Sequence, residues 1–483
     1  MSRVVLLVVL AMFLAPVALT ASQAQRYDVV LAGGRVMDPE SGLDAVRYVG
    51  IIDNRVAAIS AQPLAGDEVV DVAGLVVAPG FVDLHAHGQD PYSSKLQAQD
   101  GVTTALELEG GTLAVGEWYG NREGRSTINF GATVSHGGAR RVALPDSTPE
   151  GPAVVRRHAT PEEVERMAAV VREGLENGAL GIGFGIQYTP AARREEIIEI
   201  FKIAAEFDVT NFVHDRFAGL VEPGSGVEAV QELIANAAIT GASVHMVHVG
   251  SSGLAQVPII LDMIDGAQRR GLDVTTEIYP YTAASTGIQA AIFDPGWRER
   301  LGADYSDIEW VSSGERLTEE TFHERRKTGG TIIAHVIPEE AVDYAIAHPL
   351  VMIASDGVPY VNGRAHPRGA GTFARVLGRY VREKGTITMM EALRKMTIMP
   401  ARRLEEAVPQ MRNKGRLRVG ADADITVFDP NTVIDVATFA EPAQASKGIE
   451  YVLVNGTFVV RDGDLVEGAT PGVGIRRPVK MIP

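Results

Sequence analysis

Two histidines with one residue between them, His85 and His87, follow the apolar residues 76–84. Residues i and i+2 of a β-strand project to the same face, so the two imidazoles would lie side by side at a strand end. A pair of neutral imidazoles can bind one borderline metal ion such as Zn²⁺. Because an isolated His-X-His also occurs by chance in loops, a metal site here requires further ligands from elsewhere in the chain.

Other ionisable residues stand where further apolar strands are predicted to end. Glu107 and Glu109 close the second predicted strand, while His214, His248 and Asp356 follow the fifth, sixth and eighth. Charged side chains rarely end a buried strand unless a partner compensates for their desolvation. Four histidines, a glutamate and an aspartate that met at one edge of a sheet would form a metal centre.

The middle of the chain alternates strand patterns with helical patterns, which is typical of βα units around a parallel sheet. Eight strands are predicted, at residues 76–84, 102–109, 128–134, 180–186, 210–213, 243–247, 274–281 and 351–354. Helices are predicted at 161–177, 193–207, 226–238 and 259–270. The pattern predicts an α/β fold with a (β/α)₈ barrel, whose active site lies at the carboxyl ends of the strands. An open doubly wound sheet is the alternative, but no glycine pattern for a dinucleotide follows the first strand.

Both ends of the chain are rich in short β patterns. Strands are predicted around residues 28–38, 48–52 and 55–59, and again at 424–429 and 449–454, where Asn455-Gly456 favours a hairpin. We therefore expect a small β-sandwich domain built from residues 25–75 and 415–483, with the barrel at 76–414.

The first 24 residues have the pattern of a secretory signal peptide. Arg3 precedes an apolar run, and small residues end it at Ala24, where cleavage is predicted. The run is short for a membrane span, so we expect a secreted or periplasmic protein with no stable membrane anchor after cleavage.

The net charge and the amino-acid composition limit the classes of molecule that the protein is expected to bind. A net charge of −16 disfavours nucleic acid and anionic membranes, and leaves a small-molecule substrate as the expected partner. The chain has no cysteine, so disulfides and thiolate metal ligands are excluded. The sequence leaves the oligomeric state open.

Several motifs give the chain a resemblance to the amidohydrolase superfamily, and within it to the N-acyl-D-amino-acid deacylases. Besides the His-X-His pair and the other strand-end residues, they are 135–140, 185–190, 279–281, 355–357, 366–380, 397–401 and 420–429. The resemblance covers nearly the whole chain after residue 24. It implies a zinc enzyme, with one or two ions per chain, that hydrolyses an N-acyl-D-amino acid to a carboxylate and a D-amino acid.

The bridging ligand departs from that superfamily. The deacylases typically place a metal-bridging cysteine after the second strand, and other members use a carbamylated lysine after the fourth, but this chain has neither residue there. A carboxylate can bridge two cations in the same place. Glu109 is the favoured bridge, because Gly110 follows it as a glycine follows the family's cysteine, and Glu107 is the alternative.

The resemblance also implies roles for side chains around the metals. His85, His87, His214 and His248 would bind zinc, and Asp356 would act as general base and then general acid with a metal-activated hydroxide. The substrate would be bound by Arg368, Tyr188, Tyr281 and His136. Val249 stands where family members often carry a lysine associated with acidic substrates, which argues against a strict N-acyl-D-glutamate preference. The glycine-rich residues 363–371 are interpreted as a mobile lid, or else as an ordinary solvated loop.

Three other functions fit parts of this pattern. A cyclic-amide hydrolase of the dihydroorotase or hydantoinase type and a metallo-dipeptidase would use the same kind of centre on other substrates. An exported binding protein built on an inactive barrel would not be an enzyme. The intact set of predicted ligands argues against the last of these, because an inactive site would be expected to lose at least one.

Overall fold

Eight parallel strands form the barrel in the computed structural model, which describes residues 25–144, 147–148 and 151–479. We label them β1 to β8: Phe81–Asp83, Val102–Thr112, Asn129–Ser135, Gly181–Gly185, Thr210–His214, Ser243–Met246, Val274–Ile278 and Val351–Ile353. Each pairs in parallel with its neighbours in chain order. The amide of His87 donates to the carbonyl of Gly357 at 2.7 Å and so joins the first and last strands. The predicted barrel fold is confirmed.

Helices cover the outside of the barrel, and all four predicted ones are present within a few residues. They are Pro161–Glu176, Arg194–Phe207, Gly226–Thr240 and Val257–Gln268. The first and third of these begin at capping boxes, in which Thr160 and Ser225 bond the backbone amides of glutamates three residues later. The remaining α-helices of the described chain that pack around the barrel include Pro91–Gln99, His136–Ala143, Glu339–Ala347, Arg368–Arg375, Met389–Met396 and Ile398–Leu404.

The strand predicted at residues 76–84 is two strands that belong to different sheets. Val76–Pro79 pairs with Arg26–Asp38 and with Ile425–Phe428, whereas β1 pairs with β2 of the barrel. Gly80 lies between them, and its amide donates to the carbonyl of Asp424 at 2.9 Å. The chain therefore passes directly from the small sheet into the barrel, and this passage places His85 and His87 at the barrel mouth.

Both ends of the chain contribute to one nine-stranded sheet beside the barrel, so the predicted β domain of both termini is present, as a single hydrogen-bonded sheet. Its other strands are Leu43–Ile52, Arg55–Ser60, Ala65–Asp71, Ile449–Val454, Thr457–Arg461 and Asp464–Leu465. The sheet has an apolar core of its own, which includes Leu31, Val49, Val77, Ile425 and Leu453. The numerical limits of the two domains stay predictions.

An insertion between β7 and β8 adds a four-stranded sheet that the sequence patterns did not predict. Its strands are Ala284–Gly287, Ile308–Trp310, Glu315–Arg316 and Thr331–Ala334, with the helices Trp297–Leu301 and Glu319–Thr328. Because β7 ends at the barrel mouth, an insertion that follows it lies over the same end as the predicted ligands.

The predicted signal peptide, residues 1–24, lies outside the described residues. Among the helices that are described, none is long and apolar enough to cross a membrane.

We expect Gly80→Ala to destabilise the protein, because a Cβ at this junction would overlap the side chain of Thr103 on β2. Forcing an extra carbon into a packed site costs about 1–3 kcal/mol of unfolding free energy. Chemical denaturation followed by circular dichroism measures this loss. Gly116→Ala is the matched control, since a Cβ added at Gly116 would have no neighbouring atom within 4 Å. Equal stability of the two variants would contradict the prediction.

Candidate metal centre

The ends of five barrel strands bring all six favoured catalytic and metal-binding residues together. They are His85 and His87 after β1, Glu109 in β2, His214 at the end of β5, His248 after β6 and Asp356 after β8. His87 is partly exposed and the other five are buried. His248 and Asp356 adopt left-handed φ angles of 34° and 50°, a strained backbone conformation that concentrates at active sites.

Glu109 lies between two pairs of histidines. Its Oε2 atom is 2.9 Å from Nε2 of His85 and 2.9 Å from Nε2 of His87. Its Oε1 atom is 2.8 Å from Nδ1 of His214, which in turn lies 3.0 Å from Nε2 of His248. One carboxylate therefore offers a separate oxygen to each pair, which is the geometry of a bridging ligand.

The ligand atoms form two overlapping groups, and each group lies within 4.8 Å. We call the group of His85, His87, Glu109 and Asp356 the first position, and the group of Glu109, His214 and His248 the second position. The Oδ1 atom of Asp356 lies 3.4 Å from Nε2 of His85 and 3.6 Å from Nε2 of His87. Imidazole nitrogens with carboxylate oxygens suit zinc, so this donor set fits the expected cofactor.

Glu107 does not bridge these positions. Its Oε2 atom accepts a hydrogen bond from Nδ1 of His87 at 2.8 Å, on the side of the ring that faces away from Glu109. Amides of Gly110 and Gly111 donate to its other oxygen. Glu107 thus orients a ligand instead of acting as one, which corrects the alternative drawn from the sequence.

Two further residues orient the histidines, and neither was given a role from the sequence. Glu277 of β7 accepts from Nδ1 of His85 at 2.7 Å and from Nε2 of His245 at 3.0 Å. Gln187, after β4, accepts from Nε2 of His214 at 2.6 Å. Glu277 is an ionisable residue within the strand predicted at residues 274–281, and this feature of the sequence could have identified it.

Burial and neighbouring charges set the protonation states. Burial, with the nearby His214, holds the pKa of His248 well below its ordinary value and keeps that ring neutral. Burial also lowers the pKa of His85, but Asp356 and other carboxylates outweigh it and raise the pKa overall. Burial raises the pKa of Asp356 itself, although Arg368 and His85 act in the opposite direction. A carboxyl group with a raised pKa, such as that of Asp356, is suited to accepting and donating a proton.

A cavity of about 290 Å³ opens onto the metal positions. Its floor includes His87, Glu109, His214, His248 and Asp356. Much of its wall is apolar and comes from the insertion after β7, through residues that include Ala284, Ile292, Phe293, Leu301 and Ala334. The cavity has the size and mixed lining of a small-molecule site.

Arg368 lies beside the floor of the cavity, and only one of its three side-chain nitrogen atoms makes a hydrogen bond to a described residue. Its side chain is buried, Nη2 donates to Oδ1 of Asp356 at 2.9 Å, and the guanidinium lies 4.5 Å from the ring centre of Tyr279. Its Nε and Nη1 atoms have no hydrogen-bond partner among the described residues. Two donors of a buried guanidinium are thus available to an anion.

Of the three other residues predicted to bind substrate, Tyr188 lines the cavity, whereas Tyr281 and His136 do not. Tyr188 lines the cavity, with its ring 4.7 Å from that of His214. Tyr281 points away and donates to Asp435 at 3.3 Å, while His136 bonds Glu196 at 2.9 Å and stacks on Phe184.

Tyr279 takes the place expected for Tyr281. It lines the cavity, and its hydroxyl has no partner among the described side chains and backbone groups. Tyr279 and Tyr281 belong to one short motif, Tyr279-Pro280-Tyr281, so the sequence identified the segment but not the correct ring.

The lid interpretation of residues 363–371 is wrong for most of the segment. Ala365 to Gly371 are buried, and the helix Arg368–Arg375 begins within it. This buried part is not a solvated loop, because it packs into the protein around Arg368. The insertion after β7 covers the cavity instead.

Comparisons with known proteins agree with this geometry. A model of the amidohydrolase family matches residues 68–206 and 151–460. The N-acyl-D-glutamate deacylase of Alcaligenes xylosoxydans xylosoxydans is 33% identical, over 90% of this chain and 94% of its own. The D-aminoacylase of the same organism is 31% identical, over 91% and 96%.

A solved structure shows the same fold. The N-acyl-D-glutamate deacylase from Bordetella bronchiseptica, complexed with zinc and a phosphonate that mimics the tetrahedral intermediate, superposes with a TM-score of 0.81. It is 29% identical, and the match covers 94% of this chain and all of that one, 100%.

Proposed function

Because this chain belongs to the amidohydrolase family, we propose that it is a zinc-dependent hydrolase that converts an N-acyl-D-amino acid and water to a carboxylate and a D-amino acid. The observation that carries the proposal is the Glu109-bridged pair of metal positions, with Asp356 and Arg368 joined beside it. The relatives of known activity, N-acyl-D-glutamate deacylase and D-aminoacylase, support the D-amino-acid class.

The residues around the centre have separate tasks in this reaction. When bound, zinc supplies Lewis acidity that lowers the pKa of water and polarises a carbonyl. Asp356 accepts a proton from the attacking water and then donates it to the nitrogen of the leaving amine. That second transfer is needed because an unprotonated amine is a poor leaving group. The raised pKa of Asp356 suits a group that must hold the proton between the two steps.

Arg368 would bind the α-carboxylate of the substrate through Nε or Nη1, the donors that have no other partner among the described residues. These two N–H groups lie on different edges of the guanidinium, so the carboxylate would accept a charge-assisted hydrogen bond from one of them. Its remaining Nη2 contact with Asp356 would then fix the substrate's carboxylate relative to the general base. Tyr279 and Tyr188 line the cavity and would add polar contacts.

An uncharged amino-acid side chain fits this cavity better than an acidic one. Beyond the metal-binding floor, the wall contributed by Ile292, Phe293 and Leu301 is apolar. Val249, which follows His248, is fully buried and offers no charge to a second carboxylate. Burying an unpaired carboxylate is costly, so N-acyl derivatives of neutral D-amino acids are the proposed substrates.

We also propose that the protein is exported from the cytoplasm. The charged residue, apolar run and small residues that precede Gln25 support a cleaved signal peptide. Mass spectrometry of the amino terminus of the protein secreted by its host, or by a host that carries the gene, tests the cleavage after Ala24.

Metal analysis combined with a substrate panel tests the function. The panel holds N-acetyl-D- and N-acetyl-L-amino acids with neutral and acidic side chains, dihydroorotate, a hydantoin and a dipeptide. We expect one or two zinc ions per chain and the highest kcat/KM on a neutral N-acetyl-D-amino acid. A preference for a cyclic amide or a dipeptide would refute the deacylase assignment, and a metal-free chain would favour an inactive barrel.

We expect Arg368→Lys to lower kcat/KM on an N-acetyl-D-amino acid by about 10²-fold, because lysine keeps the charge but loses the planar guanidinium, whose separate N–H groups would bond Asp356 and the substrate carboxylate at once. The loss of kcat/KM, measured by steady-state kinetics, should be much smaller on the corresponding N-acetyl-D-amino-acid amide, because that compound has no α-carboxylate. Arg379→Lys is the matched control, since Arg379 forms an ion pair with Glu339 that lies partly exposed to solvent. Equal losses on the acid and the amide would contradict carboxylate binding by Arg368.

A further inference from the structure

A second cavity lies beside the one that opens onto the metal positions. It has a volume of about 600 Å³, and we call it the side cavity. Its walls come from the loop that follows β5, the start of the helix Arg194–Phe207 and the insertion after β7. Four residues line both cavities and form the neck between them: Gln187, Ala218, Ile292 and Leu301. The side cavity therefore adjoins the place where the substrate is proposed to bind.

The side cavity is rich in positive charge, although the whole chain has a net charge of −16. Its lining includes two acidic residues, Glu195 and Asp294, but Asp294 already pairs with two further arginines, Arg326 at 2.5 Å and Arg156 at 3.3 Å. The lining also includes four arginines: Arg193, Arg194, Arg216 and Arg300. Such an excess of arginine attracts anions.

Two of these four arginines have no carboxylate partner among the described residues. Arg216 bonds both oxygens of Glu232, and Arg194 lies 3.3 Å from the same carboxylate. The side chain of Arg193, in contrast, forms no hydrogen bond or ion pair with a described residue. Arg300 bonds only backbone carbonyls. The charges of Arg193 and Arg300 are therefore available to a ligand.

Backbone carbonyls hold the guanidinium of Arg300 in place. Its Nη1 atom donates to the carbonyl of Pro295 at 2.9 Å, and Nη2 donates to those of Ile292 and Asp294 at 3.2 and 3.0 Å. The amide of Leu220 in turn donates to the carbonyl of Arg300 at 2.6 Å and joins its helix to the loop after β5. Because a carbonyl has no net charge, these bonds fix the guanidinium without neutralising it, and a guanidinium has further N–H donors to offer.

The proposed reaction determines which part of the substrate faces the neck. Asp356 protonates the leaving nitrogen and Arg368 binds the α-carboxylate, so the amino-acid half of the substrate lies toward β8. The acyl half then lies on the other side of the scissile bond. Gln187 and Ala218 of the neck follow β4 and β5, and β4 stands across the eight-stranded barrel from β8. The acyl group therefore points toward the neck.

We propose that the side cavity is a subsite for the acyl group, and that it favours N-acyl-D-amino acids whose acyl chain is longer than acetyl and ends in a carboxylate. Arg300 and Arg193 are the residues that bind this distal carboxylate. The inference rests on the proposed deacylase function and defines the acyl group that the deacylase prefers.

Steady-state kinetics of the zinc-loaded protein on N-acyl derivatives of one neutral D-amino acid tests the proposal. The decisive pair is the N-adipoyl compound and its N-adipamoyl counterpart, in which a terminal amide of the same length replaces the distal carboxylate. We expect kcat/KM to be about 10-fold higher for the N-adipoyl compound, the effect of one charge-assisted hydrogen bond at a partly exposed site.

The length of the acyl chain gives a second test. In the series malonyl, succinyl, glutaryl and adipoyl, each compared with its terminal amide, the advantage of the carboxylate should appear only in the longer chains, because only these pass through the neck. An equal advantage at every length would indicate attraction by the general field of the protein, and would overturn the subsite.

Two substitutions test the arginines. Arg300→Gln and Arg193→Gln should each bring the kcat/KM values of the N-adipoyl and N-adipamoyl compounds closer together, without changing kcat/KM on the N-acetyl compound. Arg193→Glu should reverse the preference, and it is expected to fold even if Arg300→Gln does not, because Arg193 is exposed. Arg298→Gln is the matched control, since Arg298 lies on the same helix as Arg300 but pairs with Asp304 at 3.2 Å and does not line the side cavity.

Circular dichroism verifies the folding of each variant. Equal kcat/KM on the N-adipoyl and N-adipamoyl compounds in the wild type, or an unchanged ratio in the folded arginine variants, would overturn the subsite while the deacylase activity stands. A zinc-loaded wild type that hydrolyses no N-acyl-D-amino acid at all would instead refute the proposed function.

Discussion

We expect Asp356→Asn to lower kcat on an N-acetyl-D-amino acid by about 10³-fold or more, the upper part of the range for general acid–base catalysis. Asparagine has nearly the same shape, but its amide cannot accept a proton from water or carry it to the leaving nitrogen. Asp356 is buried at the mouth of the barrel. The other two carboxylates beside His87 in the described centre, Glu109 and Glu107, are not free for the task because they are already bonded to histidines.

The measurement is steady-state kinetics together with zinc content. Asp273→Asn is the matched control, because Asp273 forms an aspartate–arginine pair with Arg403 next to the start of β7, remote from the metals. The control should keep its turnover. Turnover within a few-fold of wild type in the Asp356 variant, with zinc retained, would show that another group moves the proton.

We expect Glu109→Ala to release zinc from both positions and to abolish measurable turnover, a loss of at least about 10³-fold if several kcal/mol of charge stabilisation disappear. Both positions depend on this one side chain, since its two oxygens face different histidine pairs. Removing it would also take away the carboxylate that lies between the two histidine pairs. Zinc analysis after gel filtration and a sensitive product assay measure both effects.

Two companion variants separate bridging from orientation. Glu107→Ala should keep zinc at saturating concentration while its affinity falls about 10- to 100-fold, as for the loss of an outer partner. Glu109→Cys should keep metal and, loaded with Co²⁺, show thiolate charge-transfer absorption. If Glu107→Ala loses zinc as completely as Glu109→Ala does, Glu107 is the bridge.

The sequence alone determined the barrel and selected the candidate metal ligands that the structure brings together. Buried parallel strands are continuous apolar runs, so an ionisable residue at the end of such a run stands out, and the fold rule that strand ends meet at one face then groups these residues. The sequence therefore predicts a shared site for five residues: His85, His87, His214, His248 and Asp356. Zero cysteine also excluded a thiolate bridge, which left the glutamates of β2 as candidates.

Only the tertiary structure decided between side chains a residue or two apart. Glu107 and Glu109 lie on one strand, and the ring nitrogen of His87 that each one faces sets their roles. Tyr279 and Tyr281 share one motif, yet only the first lines the cavity.

The long-range partners also came from the tertiary structure alone. Glu277 meets His85 across 192 residues of sequence, and the insertion after β7 covers a cavity built mainly by other elements. The physical reason is that periodicity reports which face of an element is buried. A hydrogen bond instead depends on atomic positions, which are fixed by the packing of strands far apart in the chain.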